Sequence, residues 1–335
     1  MYNSIITGTG YYVPENIVTN DDLSKLMDTS DAWIQERTGI QQRHFATRGK
    51  DTTTSMGVRA AQIAIEKAKI NKENIDFLIF ATLSPDYYFP GCGVLAQKEL
   101  GLHTVGALDI RNQCSGFIYA LSVADQFIKT GMYKNVLVIA SEMQSPALDL
   151  TTRGRNMAVL FGDGAGAAVL SRSEDNGKGI LSSHLHSEGA HAEELAILTP
   201  GVGKKWVTDL LKENDPEDTS YFPYMNGQFV FKNAVVRFSE VIIEGLKANK
   251  LTESDINLFI PHQANLRISQ FIQQKFNLPD AKVFNNIQKY GNTTAASIAI
   301  ALAEAVEQDR IKENDIILLA AFGSGFTWGS VVIKW

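Results

Sequence analysis

Three side chains in this chain of 335 residues have the types and settings that nucleophilic chemistry requires. Cys114 follows the apolar run Ala107-Leu-Asp-Ile110 and the polar link Arg111-Asn112-Gln113. It then opens a segment in which Phe117, Ala120, Leu121 and Val123 recur at helical spacing. A cysteine at such a strand-to-helix junction is expected to sit in the field of unpaired N–H groups, which stabilises a thiolate and lowers its pKa. Ser115-Gly116 beside it are small enough for a carbonyl to approach the backbone. His262 closes the apolar run Ile256-Asn-Leu-Phe-Ile-Pro261, and Asn292 precedes the small-residue helix expected over Ala295 to Val306. Singly, each has an ordinary explanation: a buried thiol packs as a small apolar group, and a histidine or asparagine caps an element. Together they supply a nucleophile and two neutral hydrogen-bond donors for a developing oxyanion.

The chain is long enough for two domains or one large duplicated one, and 44% hydrophobic with 20% charged residues suits a soluble globular protein. No apolar run reaches the ~20 residues of a membrane span, and Met1-Tyr-Asn-Ser-Ile-Ile-Thr lacks a signal-peptide pattern. A cytoplasmic protein without membrane insertion is expected. Two cysteines, Cys92 and Cys114, provide no disulfide framework or cysteine metal site. A net charge of −6 argues against nucleic acid as the main partner.

Buried strands are expected over Ile75 to Thr82 and Asn135 to Glu142, and helices over Ser55 to Ala68, Phe229 to Leu246 and Asn265 to Phe276. Ser4-Ile-Ile-Thr-Gly-Thr-Gly reads as a short strand entering a Gly turn. The glycines of Leu160-Phe-Gly-Asp-Gly-Ala-Gly fit neither a triphosphate loop nor a dinucleotide fingerprint, so close packing at a sheet edge is expected there. Ser84-Pro-Asp-Tyr-Tyr-Phe-Pro-Gly is an aromatic loop, suited to a ligand wall or a subunit contact. From Glu188 to Pro223 the pattern degrades into a surface excursion. Asn74-Ile-Asp-Phe-Leu-Ile-Phe is echoed by Asp255-Ile-Asn-Leu-Phe-Ile-Pro, and Val136-Leu-Val-Ile-Ala-Ser-Glu by Ile317-Leu-Leu-Ala-Ala-Phe-Gly. The echo implies two like α/β units, residues 1–175 carrying Cys114 and 176–335 carrying His262 and Asn292, with an insertion at about 188–223.

At this level the chain resembles the ketoacyl synthase III enzymes of the thiolase superfamily. The resemblance rests on Gly8-Thr-Gly-Tyr-Tyr-Val-Pro, Asp28-Thr-Ser-Asp-Ala-Trp-Ile-Gln-Glu-Arg-Thr-Gly-Ile, Cys114-Ser-Gly-Phe, Phe161-Gly-Asp-Gly-Ala-Gly-Ala, Pro261-His-Gln-Ala-Asn, Gly291-Asn-Thr and Phe322-Gly-Ser-Gly-Phe-Thr-Trp-Gly. It implies an α/β thiolase-like fold, two similar halves packed as α-β-α-β-α layers. The implied reaction is decarboxylative condensation of an acyl-CoA primer with malonyl-acyl carrier protein, initiating fatty acid synthesis. Cys114, His262 and Asn292 would be catalytic, with Ser324 and Cys114 N–H groups forming the oxyanion site and Phe322 walling the carboxylate. Trp33, Arg37, Thr38 and Arg155 would hold CoA, Arg155 fitting the pattern better than the neighbouring Arg153. Phe89 and Phe161 would line the acyl pocket, Phe89 reaching into a partner subunit of a homodimer. Lys232 and Arg267 would receive the acidic carrier protein, while Gln274 replaces a usual lysine. No metal or prosthetic cofactor is implied, CoA thioester being a substrate.

Two departures stand out: Gly323-Ser-Gly325 replaces three glycines, and the 188–223 segment is long, so a longer or unusual primer is expected. The same three groups would also serve a relative making a specialised metabolite. A papain-like protease orders Cys, His and Asn similarly, but its flanking signature is missing here. A non-catalytic acyl-CoA binder would have no need of the nucleophile.

Overall fold

The computed structural model describes residues 2–175, 177–199, 201, 215 and 217–335. Two sheets carry the architecture. The first has five strands in the spatial order Asn3–Tyr12, Gly164–Ser173, Asn135–Glu142, Phe77–Ala81, Gly106–Ile110. The last three are mutually parallel and the first two pair antiparallel. The second has four, in the order Leu258–Pro261, Ile316–Gly323, Thr327–Lys334, Gly179–Ser187. Its first pair is parallel and the other two are antiparallel. An isolated parallel bridge from Phe259 to Val283 stands where the fifth strand of the first sheet would be. The echo between Asn135–Glu142 and Ile316–Gly323 thus corresponds to equivalent strands in two like sheets.

Period-two alternation explains how the layers stack. Val136, Val138 and Ala140 face a central core that also takes Ile317, Leu319 and Ala321 from the other sheet. Their neighbours Leu137 and Ile139 face outward onto the helix Thr53–Ala68, while Leu318, Ala320 and Phe322 face outward onto Gly227–Ala248 and Leu266–Lys275. Strands buried on both faces read as continuous apolar runs, as these do. Between the sheets lie the helices Gly116–Lys129 and Ala296–Glu307, sharing that central core. The result is α-β-α-β-α, the layering expected.

The structure corrects two readings of glycine. Gly8 and Gly10 do not turn the chain; the strand Asn3–Tyr12 runs through both. A Cβ on Gly8 would stand 2.2 Å from the Ala64 carbonyl oxygen, so these positions are bare to let the helix Thr53–Ala68 lie against the sheet. Gly164 and Gly166 likewise belong to an interior strand, not a sheet edge, and a Cβ on Gly166 would meet Ala299 Cβ at 2.5 Å.

Of the expected 188–223 excursion, residues 200, 202–214 and 216 lie outside the described residues. The described part is tied to the body of the protein. Leu195–Ala196 pairs with Tyr224–Met225, and Glu188 and Phe326 exchange both backbone hydrogen bonds at 2.8 Å.

Gly8→Ala is therefore expected to lower the unfolding free energy by about 3 kcal/mol or more through overpacking. Gly189→Ala, which meets nothing within 4 Å, should stay within about 0.5 kcal/mol. Urea titration of the two variants checks the contrast, and equal losses would contradict the packing argument.

Candidate active site

Cys114 lies in the single turn Gln113–Ser115 that leads into the helix Gly116–Lys129. Gln113 just before it takes a left-handed backbone, φ 43°, a cost of about 1–3 kcal/mol for a non-glycine residue. Gly116 just after allows a close fit: a Cβ there would stand 3.2 Å from Ala295 Cβ and 3.3 Å from Ala81 Cβ. The thiol also abuts the end of the strand Ile316–Gly323, since a Cβ on Gly323 would be 3.0 Å from Cys114 Sγ. The N–H groups of Ser324 and of Cys114 itself favour the thiolate. Burial outweighs them, and with the nearby Glu142 carboxylate it pushes the Cys114 thiol up to about 12. The expected lowering of this pKa is thus reversed.

His262 follows the strand Leu258–Pro261, its N–H donating to Ala320 of the neighbouring strand at 2.8 Å. That strand ends three residues later at Gly323, so the pairing that anchors the imidazole also leads to the turn beside the thiol. The ring is buried, 2% exposed. Nδ1 lies 2.6 Å from Ser297 Oγ, while Nε2 has no partner. Burial drives the imidazole pKa down to about 3, so it is neutral.

Asn292 is placed by backbone pairing with the segment before Gly164. Its N–H donates to Leu160, its carbonyl accepts from Gly162, and it bridges Phe161. Its side-chain Oδ1 accepts the Thr294 N–H at 2.9 Å. Only oxygen can accept there, which leaves the Nδ2 amide hydrogens as the free donors. Thr294, like Gln113, is left-handed, at φ 46°.

Beneath these groups sits Glu142, a residue to which the sequence reading gave no role. Fully buried at the end of its strand, it accepts from Thr82 Oγ1, Leu83 N–H, Ser84 Oγ, Gln144 Nε2 and Ala295 N–H. Burial raises its carboxyl to about 7. Arg43 was missed as well. Its guanidinium is fully buried and holds the carbonyls of Val18 and Val159 and Oδ1 of Asn20, which steadies the approach to Phe161.

A cleft of about 1140 Å³ opens above, lined by Trp33, Arg37, Thr38, Asn156, Val159, Leu160, Phe229, Lys232, Asn265 and Arg267 among others. Its Leu160 wall is the residue whose carbonyl receives the Asn292 N–H. Arg37 and Arg155 both approach the Trp33 ring, at 4.5 Å and 5.3 Å from its centroid. Arg153 turns away to Asp149 and Phe222. The Thr38 hydroxyl is buried and committed, donating to Ile34 and accepting from Ile40 N–H. Phe322 packs on Phe326, centroids 4.9 Å apart, and Phe161 is buried. Ser324 Oγ donates to the Leu195 carbonyl. Phe89 stands apart from the cleft, 81% exposed in the aromatic loop. Lys232 and Arg267 are exposed, and among the described residues neither is ion-paired. Among the described residues no group of three or more His, Cys, Asp or Glu is arranged to hold a metal, and no helix is long and apolar enough to cross a membrane.

Comparison with known proteins places this geometry. The model of 3-Oxoacyl-[acyl-carrier-protein (ACP)] synthase III matches residues 108–189, and that of its C-terminal region matches 246–335. The beta-ketoacyl-[acyl-carrier-protein] synthase III of Caldanaerobacter subterraneus subsp. tengcongensis is 46% identical over 330 residues, spanning 98% of this chain and 97% of the relative. The crystal structure of 3-oxoacyl-[acyl-carrier-protein] synthase III from Aquifex aeolicus superposes with a TM-score of 0.90 at 44% identity, covering 99% of this chain and 100% of the other. The priming beta-ketosynthase of the R1128 polyketide biosynthetic pathway superposes at 0.89 with 31% identity, covering 99% of this chain and 96% of its own. The cysteine turn, the imidazole strand and the asparagine bridge all lie within the matched segments, and the chain belongs to the 3-oxoacyl-[acyl-carrier-protein] synthase III family of condensing acyltransferases.

Proposed function

We propose that Cys114, His262 and Asn292 carry the condensation, because a buried thiol abuts the Gly323–Ser324 turn of the strand to which the neutral His262 is paired, while the helix it opens meets Ala295, three residues after the fixed carboxamide of Asn292. In the first half-reaction Cys114 sulfur attacks the acyl-CoA carbonyl. The sulfur–carbonyl bond to CoA breaks, and the thiol proton leaves with the CoA sulfur. The N–H groups of Cys114 and Ser324 hold the oxyanion. In the second, malonyl thioester loses carbon dioxide, and the electron pair passes to an enolate whose oxygen accepts from His262 and Asn292. The enolate carbon attacks the acyl-Cys114 carbonyl, and the released thiolate takes up a proton. The apolar Phe322 beside this site favours departure of the carboxylate as neutral gas. No step calls on a cofactor, since the CoA thioester is consumed as substrate.

The two arginines at Trp33 support a CoA-binding mouth in which Arg155, rather than Arg153, meets the adenine, with Arg37 and the Thr38 backbone beside it. Exposed Lys232 and Arg267 at the rim support docking of an acidic carrier protein. Phe89, exposed on its own subunit, and the open edge of Gly106–Ile110 support a homodimer in which that ring enters the partner's acyl pocket alongside Phe161. The like sheet orders support two halves, 1–175 and 176–335. The hydrogen bond from Ser324 to Leu195 ties the start of the 188–223 segment to the turn beside Cys114, the placement that a primer longer than acetyl would call on.

Mixing with acyl-CoA should add one acyl mass to the wild type and none to Cys114→Ala, and across a primer panel acetyl-CoA should not dominate. No adduct would reduce the protein to a binder, and strong acetyl preference would remove the longer-primer reading. Because the thiol is held protonated, Cys114 alkylation by iodoacetamide should climb about tenfold per pH unit between pH 8 and 10. A plateau below pH 8 would show a thiolate site; Cys114→Ala corrects for Cys92. The double variant Lys232→Glu, Arg267→Glu should raise KM for the malonyl carrier about tenfold or more and slow acylation from CoA by a clearly smaller factor. Equal effects on both half-reactions would displace the carrier from this rim.

A further inference from the structure

A neutral imidazole presents one donor and one acceptor, so His262 serves an enolate oxygen only when its proton is on the nitrogen facing the substrate. The hydrogen-bond count around Ser297 settles which nitrogen that is. Ser297 is buried, 2% exposed, on the first turn of Ala296–Glu307. Among the described residues its Oγ has two partners, the Gln263 N–H at 3.3 Å and His262 Nδ1 at 2.6 Å. The backbone N–H can only donate, so it occupies one Oγ lone pair. The hydroxyl proton then has a single acceptor within reach, Nδ1. Were Nδ1 protonated, it would donate to Oγ and leave the buried hydroxyl proton with nothing to bond. Unprotonated Nδ1 satisfies every atom of the cluster, and the ring proton falls to Nε2, on the other edge of the ring, which has no partner among the described residues.

We infer that Ser297 is a positioning residue, whose hydroxyl, itself fixed by the Gln263 N–H, holds His262 in the Nε2–H form and so makes it a donor to the malonyl-derived oxygen. The opposite tautomer would turn a lone pair toward that oxygen and repel the enolate. The inference rests on the donor role proposed for His262. It concerns the second half-reaction alone, because acyl transfer to Cys114 draws on the N–H groups of Cys114 and Ser324.

The test is nitrogen NMR of the full-length protein labelled with ¹⁵N-histidine, His262 being identified by the signal that His262→Ala lacks. Wild type should carry its proton on Nε2, and Ser297→Ala should show a shift toward Nδ1–H. Condensation by Ser297→Ala should fall on the order of 10²-fold, while acylation of Cys114, followed by mass, proceeds as in wild type and reports an intact site. A proton on Nδ1 in wild type overturns the inference. So does Ser297→Ala that condenses normally, or one that loses both half-reactions together. If His262→Ala itself still condenses, the donor role fails and this inference falls with it. If His262→Ala is inactive while Ser297→Ala is not, the donor role stands and only the part given to Ser297 falls.

Discussion

The structure depends on how closely the N-terminal ends of two helices approach each other between two sheets. Gly116 opens one helix and Ala295 precedes the other, and a Cβ on Gly116 would stand only 3.2 Å from that of Ala295. The helix Ala296–Glu307 is rich in alanine, and both helices bury side chains in one core shared by the sheets above and below. A close-packed interior of this kind has little give. The thiol at one helix start and the carboxamide just before the other are therefore held by the central layer, not by loops free to wander.

Burial of that meeting point governs its electrostatics. A thiol near 12 and an imidazole near 3 are both uncharged at neutral pH, so in the proposed mechanism charge would appear only when substrate reacts. Fixed dipoles are most effective against such transient charge, because water is absent and nothing has to reorient. Glu142, its carboxyl raised by burial to about 7, is surrounded by five donors and tied to Leu83 on one side and Ala295 on the other. It acts as a mortar between the loop that carries the aromatic cluster and the segment that carries Asn292.

Much of this was legible in the chain because buried strands and amphipathic helices write their period directly. Asn135–Glu142 was bounded to the residue, and its echo in Ile316–Gly323 disclosed the second sheet. The positions of Cys114, His262 and Asn292 were readable because each stands at an element's end. What escaped depends on contacts far apart in sequence. Gly8 looks like a turn, and Gly166 like a sheet edge, until a helix is seen lying on each. Arg43 reads as a surface cation in Gln-Gln-Arg-His, yet its partners are 23 to 116 residues distant. The thiol's pKa followed the helix end in sequence terms and the surrounding protein in fact. Ser297 carried no local signal, since its partner lies 35 residues earlier.

The turn at Ser324 faces two ways. Its backbone N–H serves the thiol, and its side chain grips Leu195, while Phe326 next to it is laced to Glu188. The start of the 188–223 segment is thus fastened to the turn beside the thiol. On the reading that this segment borders the acyl end, tuning which acyl groups are accepted and tuning how fast they react would be mechanically one operation. An engineer who regrafts the loop from a sibling enzyme would inherit a change in turnover along with any change in appetite.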